Sequence, residues 1–252
     1  MEGKGGRMSL TLPEITRKLA GLEEAIIHKL LDRAQFCQNA DAYAPGESGF
    51  LPQETASLFE LRLLYQETMD AQFGRYLMPE ERPFYEGLPL SKRTVRVKPG
   101  TDLFIKELET INVSGKILTA YMDLLPHLCP TGDDGHHGSA VEHDVMVLQA
   151  LARRIHFASL YVAESKYMSD PIHFRELIEA KAEASIMNSL TRKAVEEEVL
   201  ARVRKKTASI QAAADPASRI LVDPEVIVKF YKDWIIPLTK EGEVRYLLQR
   251  PL

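Results

Sequence analysis

The chain has 252 residues, of which 45% are hydrophobic and 27% are charged, and its formal net charge is −4 at pH 7. This composition is ordinary for one large globular domain, and the net charge is not the positive one typical of proteins that bind nucleic acids. The sequence shows no apolar run long enough to span a membrane and no apolar stretch typical of a signal peptide. Because the chain has only two cysteines, we expect no disulfide framework and a cytoplasmic protein, with a processed organellar form as the alternative.

The first third of the chain predicts a flexible tail and two long helices. Residues 1–10 show no helical pattern. The sequence Thr11-Leu12-Pro13-Glu14 is a capping box with an early proline, and it predicts a helix that ends near Phe36. A loop rich in glycine and proline follows over residues 39–53. A second helix is predicted over residues 55–76, with a threonine cap at its first residue.

The middle of the chain predicts an irregular segment and then two helices. Residues 79–100 are rich in proline and predict extended backbone, while the alternation of Val95-Arg96-Val97 is too short to predict a strand. A helix that begins at Ser114 is predicted to stop before Pro126. After a glycine-rich loop, Ser139-Ala140-Val141-Glu142 is a second capping box that opens a long central helix.

The central helix combines an apolar stripe at helical spacing with polar residues, over Leu148 to Met168. The residues that interrupt the stripe are Arg153, Arg154, His156, Glu164 and Lys166. Some of them must lie near the apolar side, and a buried cation is costly unless it meets an anion. That anion is either an internal carboxylate or a ligand.

The last third of the chain predicts further helices. Residues 171–190 indicate one or two short helices, and residues 192–214 indicate a longer one that is capped by Thr191. Asp223-Pro224 predicts the N-cap and the first residue of a final helix, which Pro237 should kink.

No segment shows the period of two that is typical of strands, so the predicted fold class is all-α. We expect a single-domain multi-helix bundle over residues 11–252, preceded by the flexible tail. No metal site is predicted, because the residues that cluster in the loop before the central helix match no ligand spacing and suit a solvated loop. They are Asp133, Asp134, His136, His137 and His143.

A basic run on the predicted 192–214 helix is interpreted as a solvated face. It consists of Arg202, Arg204, Lys205 and Lys206. The chain also lacks a glycine-rich phosphate loop next to a strand and a nucleophile elbow, so neither nucleotide binding nor a serine hydrolase is predicted.

Polar residues on otherwise apolar helices are the candidates for a functional site. They are Arg154, Lys166, Glu196, Thr239, Lys240 and Glu243. The simpler interpretation is a network of buried salt bridges across the bundle. The functional alternative is a pocket with two cationic groups, a pair of carboxyls and a hydroxyl, which would suit a small dianion that carries oxygen functions.

Four motifs in order, RRIHF, VAESK, KAVEE and IIPLTKEGEVRYLLQR, resemble those of the eukaryotic-type, all-helical chorismate mutases of the AroQ class. The opening ITRKLAGLEEAIIHKLLDRAQF is similar to the first helix of that family, and MPEERPFY and GDDGHHGSA have counterparts there. The resemblance runs from about Leu12 to Leu248. It implies an isomerase, an intramolecular transferase, that converts chorismate to prephenate in phenylalanine and tyrosine biosynthesis.

The resemblance also implies a concerted pericyclic reaction without metal or other cofactor, in a homodimer. Arg154 would bind a carboxylate of chorismate, and Lys166 would bind the ether oxygen and a carboxylate. Glu196 would hold the ring hydroxyl, while Thr239 and Lys240 would line the pocket. Glu243 would donate a hydrogen bond to the ether oxygen, which requires a protonated carboxyl and therefore a raised pKa.

Three departures from the family pattern bear on this assignment. Thr16 stands where the family has a substrate-binding arginine, and Arg17 lies next to it. Arg192 stands at the position of a pocket asparagine, where it could restore the lost positive charge. The interval from Arg154 to Lys166 is one residue longer, so that twelve residues overshoot the same face of an ideal helix by about 120°.

The longer interval leaves two possibilities. Either a π-bulge near residues 158–161 absorbs the extra residue, or one side chain of the pair leaves the pocket. The departures also keep two other functions open. One is a non-catalytic or weakened relative that serves as a binding or regulatory protein, and the other is a mutase for a related substrate such as isochorismate or an amino-substituted chorismate.

The resemblance extends to a site for aromatic amino acid effectors between protomers. Arg75, Gly138 and Ser139 match that site. Gly74 replaces a second arginine and Glu142 replaces a threonine, and both changes would alter the contacts to the ammonium and carboxylate groups of an effector.

Overall fold

The computed structural model describes residues 10–50, 53–93, 103 and 108–251. These residues form helices joined by loops, and no strand occurs among them. The all-α prediction is therefore confirmed. Residues 1–9 of the predicted tail and Val95-Arg96-Val97 lie outside the described residues, and the predicted domain boundaries stay a prediction.

The α-helices are named here in chain order. Short 3₁₀ turns lie in the connections, at Ala40–Tyr43, Arg75–Leu77 and Leu108–Ile111. The α-helices are α1 Leu12–Arg33, α2 Leu58–Gln72, α3 Ser114–Leu128, α4 His137–Ser169, α5 Pro171–Glu179, α6 Glu183–Leu190, α7 Lys193–Gln211, α8 Pro224–Phe230 and α9 Ile236–Gln249.

Of the two predicted capping boxes, the one at α1 was correct and the one at α4 was wrong, and the single cap predicted for α2 was also wrong. At α1, the Thr11 backbone N–H donates to the Glu14 carboxylate at 2.8 Å, as predicted. Helix α2 is capped by Ser57 rather than Thr55, because Ser57 and Glu60 also form a capping box. Helix α4 begins at His137, before Ser139, and has no side-chain cap. The predicted N-cap Ser139 was therefore three residues later than the observed N-cap His136.

Prolines affect the helices less than predicted. Pro126 lies inside α3, so the predicted stop before it was wrong. A proline this close to the C-terminal end removes one hydrogen bond without preventing the last turn. A π-helical turn at Tyr231–Ile235 joins α8 to α9 directly before Pro237. Its wider turn lets Ile236 donate to the Tyr231 carbonyl. A π turn is one of the features at which helices bend, and the kink itself stays a prediction.

Helix α4 lies at the centre of the bundle and packs mainly against α1 and α9. Its apolar residues join one core with α1, α3 and α8, and a second core with α5, α6 and α9. The first core contains a buried ion pair between Arg33 and Asp144. The hydroxyls of Tyr43 and Tyr121 also donate to Asp144. The fold thus supplies an internal carboxylate for Arg33, as the burial of a charge requires.

Candidate active site

Helices α4 and α9 bring four of the candidate residues into direct contact. Arg154 Nη1 donates to Thr239 Oγ1 at 2.8 Å, and Lys166 Nζ donates to the Glu243 carboxylate at 2.8 Å. Thr239 and Glu243 lie one turn apart on α9, so they share a face of that helix. The Thr239 hydroxyl in turn donates to the Ile235 carbonyl at 2.7 Å, which fixes its orientation.

The segment from α6 to α7 adds the remaining two candidates. Lys240 Nζ donates to the Glu196 carboxylate at 3.0 Å and lies 3.4 Å from the Thr191 hydroxyl. Lys166 Nζ also donates to the Leu190 carbonyl at 3.0 Å. We call the resulting group the α4–α9 cluster, and it consists of Arg154, Lys166, Glu196, Thr239, Lys240 and Glu243.

Arg154 is buried without a carboxylate partner. It is 6% exposed, and no acidic side chain of the described residues lies within ion-pair distance of it. Its Nε has no hydrogen-bond partner in the described part of the protein, and its guanidinium lies 5.7 Å from the Tyr231 ring centroid. Burial lowers the pKa of Arg154. An anionic ligand would supply the missing charge and hydrogen bond.

Glu243 is 3% exposed, and burial raises the pKa of its carboxyl. The positive charges of Lys166, Arg154 and Lys240 act in the opposite direction. The predicted raised pKa is confirmed in direction. A carboxyl in this environment can hold a proton and donate a hydrogen bond to a ligand that arrives with its own negative charge.

The α4–α9 cluster contains two ion pairs, which do not neutralise all of its positive charge. Lys166 pairs with Glu243 and Lys240 pairs with Glu196, which leaves Arg154 in excess. If Glu243 takes up a proton, Lys166 is released as a second cation. The interpretation as a buried salt-bridge network therefore accounts for two ion pairs of the cluster. The excess positive charge of the cluster supports the alternative, a pocket that binds a dianion.

Neither possibility considered for the long interval in α4 occurs. Helix α4 is α-helical over its whole length, without a π turn. Arg154 and Lys166 nevertheless both reach α9, at Thr239 and Glu243. The expectation was wrong because it treated the two residues as points on an ideal helix, whereas both side chains are long enough to reach one neighbouring helix from different sides.

Two predicted substrate-binding arginines make no side-chain hydrogen bond or ion pair to the cluster within the described residues. Arg17 lies on the exposed side of α1, as does Thr16, whose hydroxyl donates to the Leu12 carbonyl at 2.9 Å. Arg192 is exposed at the N-cap of α7, beside Thr191. Within the described residues, no side-chain hydrogen bond or ion pair connects either arginine to the cluster, although the Glu196 backbone N–H donates to the Arg192 carbonyl at 3.1 Å. Their roles stay predictions.

The predicted effector residues lie at the start of α4 and after α2. Arg75 pairs with Asp70 at 2.9 Å and with Glu81 at 3.0 Å. Gly138 and Ser139 lie in the first turn of α4. Arg75 makes no hydrogen bond to either of them within the described part of the chain. The carboxylates of Asp70 and Glu81 are the partners of Arg75 in the described residues, and the effector site stays a prediction.

The basic run on α7 matches the predicted solvated face at Arg204 and Lys205, which are exposed, but not at Arg202 and Lys206. Arg202 donates two hydrogen bonds to Glu23 on α1, each 2.9 Å long, and Lys206 lies 3.3 Å from the same carboxylate. Glu23 is almost completely buried, so Arg202 and Lys206 neutralise it.

Among the described residues, no group of histidines, cysteines and acidic residues is arranged to hold a metal ion.

Sequence patterns missed Tyr231 and Leu190 as neighbours of the cluster. Tyr231 belongs to the apolar stripe of the last helix by its spacing, yet it lies against the Arg154 guanidinium. Leu190 contributes a carbonyl oxygen, which no side-chain pattern can indicate. Only the packing of α9 against α4 and of α6 against α9, together with the π turn before α9, places these groups at the site.

In the described residues, no helix is both long and apolar enough to cross a membrane.

No family model matches the chain. The chain is 36% identical over 259 residues to "Chorismate mutase 2, cytosolic" of Zea mays, with 99% of each chain covered. It is also 36% identical over 255 residues to "Chorismate mutase 1, chloroplastic" of Petunia hybrida, which covers 96% of this chain and 76% of the relative.

A solved structure is similar over nearly the whole molecule. The Aro7p chorismate mutase from Candida albicans, in complex with L-Trp, superposes with a TM-score of 0.87 at 37% sequence identity. The match covers 95% of this chain and 91% of that chain. The likeness therefore includes the helices that carry the α4–α9 cluster.

Proposed function

Because this chain belongs to the all-helical chorismate mutases, we propose that the α4–α9 cluster is its active site. The chain is an isomerase, an intramolecular transferase that rearranges chorismate to prephenate in phenylalanine and tyrosine biosynthesis. The observation that carries the assignment of the site is the buried Arg154 guanidinium, which has no carboxylate partner in the described residues.

Chorismate has two carboxylates, a ring hydroxyl and an enol ether, and the cluster offers a partner for each. Arg154 binds one carboxylate, and Lys166 binds the other together with the ether oxygen. Glu196 accepts a hydrogen bond from the ring hydroxyl. Thr239 and Lys240 line the pocket, where their contacts to Arg154 and Glu196 hold those side chains in position.

The rearrangement breaks a C–O bond and forms a C–C bond in one step. Binding both carboxylates holds the enolpyruvyl side chain over the ring, which removes rotational freedom before the reaction. Negative charge develops on the ether oxygen as the C–O bond breaks. Lys166 and protonated Glu243, which are already in contact at 2.8 Å, donate hydrogen bonds to that oxygen and stabilise the transition state.

The assay for the site follows the loss of chorismate and the formation of prephenate by purified variants. We expect Arg154→Ala and Lys166→Ala each to lower kcat/KM by at least about 100-fold, since each removes a charge-assisted hydrogen bond in a dry site. Arg192→Ala should change it by less than about tenfold, because Arg192 is exposed. Normal turnover in Arg154→Ala would remove the cluster from the reaction.

The assay also addresses Arg17 and the related substrates. If Arg17 binds a carboxylate when the substrate is present, Arg17→Ala should raise KM for chorismate. Turnover of isochorismate or of an amino-substituted chorismate in preference to chorismate would assign Arg192 to the choice of substrate.

We propose a homodimer for the assembled protein. The proposal is supported by an apolar strip on the exposed side of α2, which consists of Tyr65, Met69 and Phe73 and which we call the α2 strip. Each of these side chains is about half exposed or more. Such a strip on a helix that is otherwise packed is typical of a surface that another protomer covers.

We also propose that an aromatic amino acid binds at Arg75, Gly138 and Ser139, and that the protein is cytoplasmic. The support for the effector is the C. albicans relative, which was solved with L-Trp. The support for the compartment is the relative from Z. mays, which is named cytosolic, whereas the relative from P. hybrida is named chloroplastic.

A further inference from the structure

Helices α4 and α9 make a close contact at Ser159 and Gly242. A Cβ atom placed on Gly242 would lie 2.0 Å from Ser159 Oγ and 2.6 Å from Ser159 Cβ. The hydroxyl could rotate away, but the Cβ atom cannot. Since nonbonded carbons need about 3.5–4 Å, any side chain at position 242 would push the two helices apart by about 1 Å.

The Ser159 hydroxyl ties the two backbones together at this contact. Its oxygen lies 2.8 Å from the Ile155 carbonyl of α4 and 3.3 Å from the Thr239 carbonyl of α9. Burial of Ser159 is complete. A glycine inside a helix costs stability relative to alanine, so its presence at 242 requires a compensating reason, and the approach of Ser159 provides one.

The contact lies between the two catalytic pairs. On α9, Gly242 is flanked by Thr239 and Glu243. On α4, Ser159 and Lys166 are seven residues apart and lie within about 20° of one another around the helix, whereas Arg154 is about 140° from Ser159. Arg154 therefore contacts Thr239 at 2.8 Å only if α9 lies close enough for a long side chain to reach around α4.

We propose that the Ser159–Gly242 contact positions α9 so that Arg154 and Lys166, twelve residues apart, both reach it. Ser159 and Gly242 are positioning residues, since neither would touch the substrate. The inference rests on the proposed function of the α4–α9 cluster. Without the close approach, the Arg154–Thr239 and Lys166–Glu243 pairs could not both form at hydrogen-bond distance.

The test is Gly242→Ala together with the double variant Ser159→Gly/Gly242→Ala. Gly242→Ala should lower kcat at least tenfold, because the helices separate at the site. The double variant removes both Ser159 atoms that the new methyl group would meet, and it should recover most of the activity. A helical glycine with open space around it, Gly21, provides the control, and Gly21→Ala should keep wild-type kinetics.

The pH profile of kcat separates positioning from simple loss of stability. Separation of α4 and α9 lets water reach Glu243, so the fall in activity with rising pH should move to lower pH in Gly242→Ala and return in the double variant. A folded Gly242→Ala with wild-type kcat and pH profile overturns the inference. If Gly242→Ala does not fold, the double variant decides, and failure to restore folding and turnover overturns the inference.

The two proposals fail in different ways. Normal turnover in Arg154→Ala and Lys166→Ala would overturn the function of the cluster itself. Loss of turnover in those variants, with wild-type behaviour of folded Gly242→Ala, would overturn only the positioning role of Ser159 and Gly242.

Discussion

The buried arginines of this protein differ in what neutralises their charge. Arg33 pairs with Asp144 in the core, and Arg250 pairs with Glu164 while lying 3.5 Å from the Tyr167 ring centroid. Arg154 has a hydroxyl as its hydrogen-bond partner. Among these three arginines, Arg154 alone lacks a carboxylate, so the fold leaves its desolvation cost uncompensated until an anion binds.

Replacement of Arg154 should therefore separate stability from activity. We expect Arg154→Met to stabilise the ligand-free protein by about 1–3 kcal/mol, because an apolar side chain of similar length removes an unpaired buried charge. Turnover should be lost in the same variant. Thermal or urea unfolding without ligand measures the first effect, and the chorismate assay measures the second.

Lys166→Met is the matched control for this prediction. It breaks the ion pair with Glu243 and should not stabilise the protein to the same extent. If Arg154→Met destabilises the protein and leaves turnover intact, Arg154 has a structural role instead.

Glu243 makes the reaction depend on pH. Burial raises the pKa of its carboxyl, so the protonated form that can donate a hydrogen bond persists above the usual range of a glutamate. As the pH rises through that pKa, the donor is lost, and kcat should fall about tenfold per pH unit. Steady-state kinetics from about pH 5 to about pH 9 measure the fall.

Glu243→Gln supplies the comparison, because an amide donates a hydrogen bond at every pH. We expect its kcat to stay level across the range in which wild-type kcat declines. A flat wild-type profile from mildly acidic to mildly alkaline pH would exclude the proposed role of Glu243 as a proton-bearing donor.

At the scale of the elements, His156 connects α4 to the start of α3. Its Nε2 accepts the Val113 backbone N–H at 3.1 Å, and its Nδ1 lies 2.7 Å from the Ala152 carbonyl. The ring must therefore be neutral, with the proton on Nδ1. Burial lowers the pKa of His156 to about 3, which keeps the ring neutral at physiological pH.

This buried histidine predicts a loss of stability in mild acid. In the unfolded chain the ring takes up a proton below about pH 6.5, whereas in the folded protein it does not do so until about pH 3. The folded state thus loses stability as the pH falls from 6.5 towards 3, by about 2–3 kcal/mol at pH 4.5.

Urea unfolding at pH 7 and pH 4.5 measures this effect. In His156→Gln, which lacks the titrating ring, the difference in unfolding free energy between the two pH values should be smaller by that amount. An unchanged difference would mean that other groups account for the acid sensitivity.

At the scale of the whole molecule, the α2 strip is the feature that a single protomer does not explain. Tyr65 is 56% exposed and Phe73 is 67% exposed. Gln149 of α4 donates to Asp70 at 2.8 Å, which holds α2 and α4 side by side. Met146, one turn before Gln149 on α4, is also exposed and extends the apolar surface.

Charged residues on this strip should therefore prevent association. We expect the double variant Tyr65→Lys/Met69→Lys to have half the mass of the wild-type assembly in light scattering after size-exclusion chromatography, because two buried ammonium groups would face the partner. Ile172→Lys is the control, since Ile172 is equally apolar and 75% exposed on α5, away from the strip. A monomeric wild-type protein would contradict the proposed homodimer.

Much of the fold follows from local sequence. Thr11 with Glu14 and Asp223 with Pro224 begin their helices as predicted, because capping depends on residues within one turn of each other. The prediction of one or two short helices over residues 171–190 is also confirmed, by α5 and α6. The starts of α2 and α4 show the limit, since a second capping box or the packing of the first turn can move the start of a helix by two or three residues.

The sequence by itself determined the helical fold, the family and the identity of the residues in the cluster, because helical periodicity, caps and ordered motifs are local. Only the tertiary structure decided which charges meet. It pairs Lys166 with Glu243, leaves Arg154 without a carboxylate in the described residues, and places Ser159 against Gly242. The distance between two helices depends on the side chains at their contact, and spacing along a single helix does not contain that information.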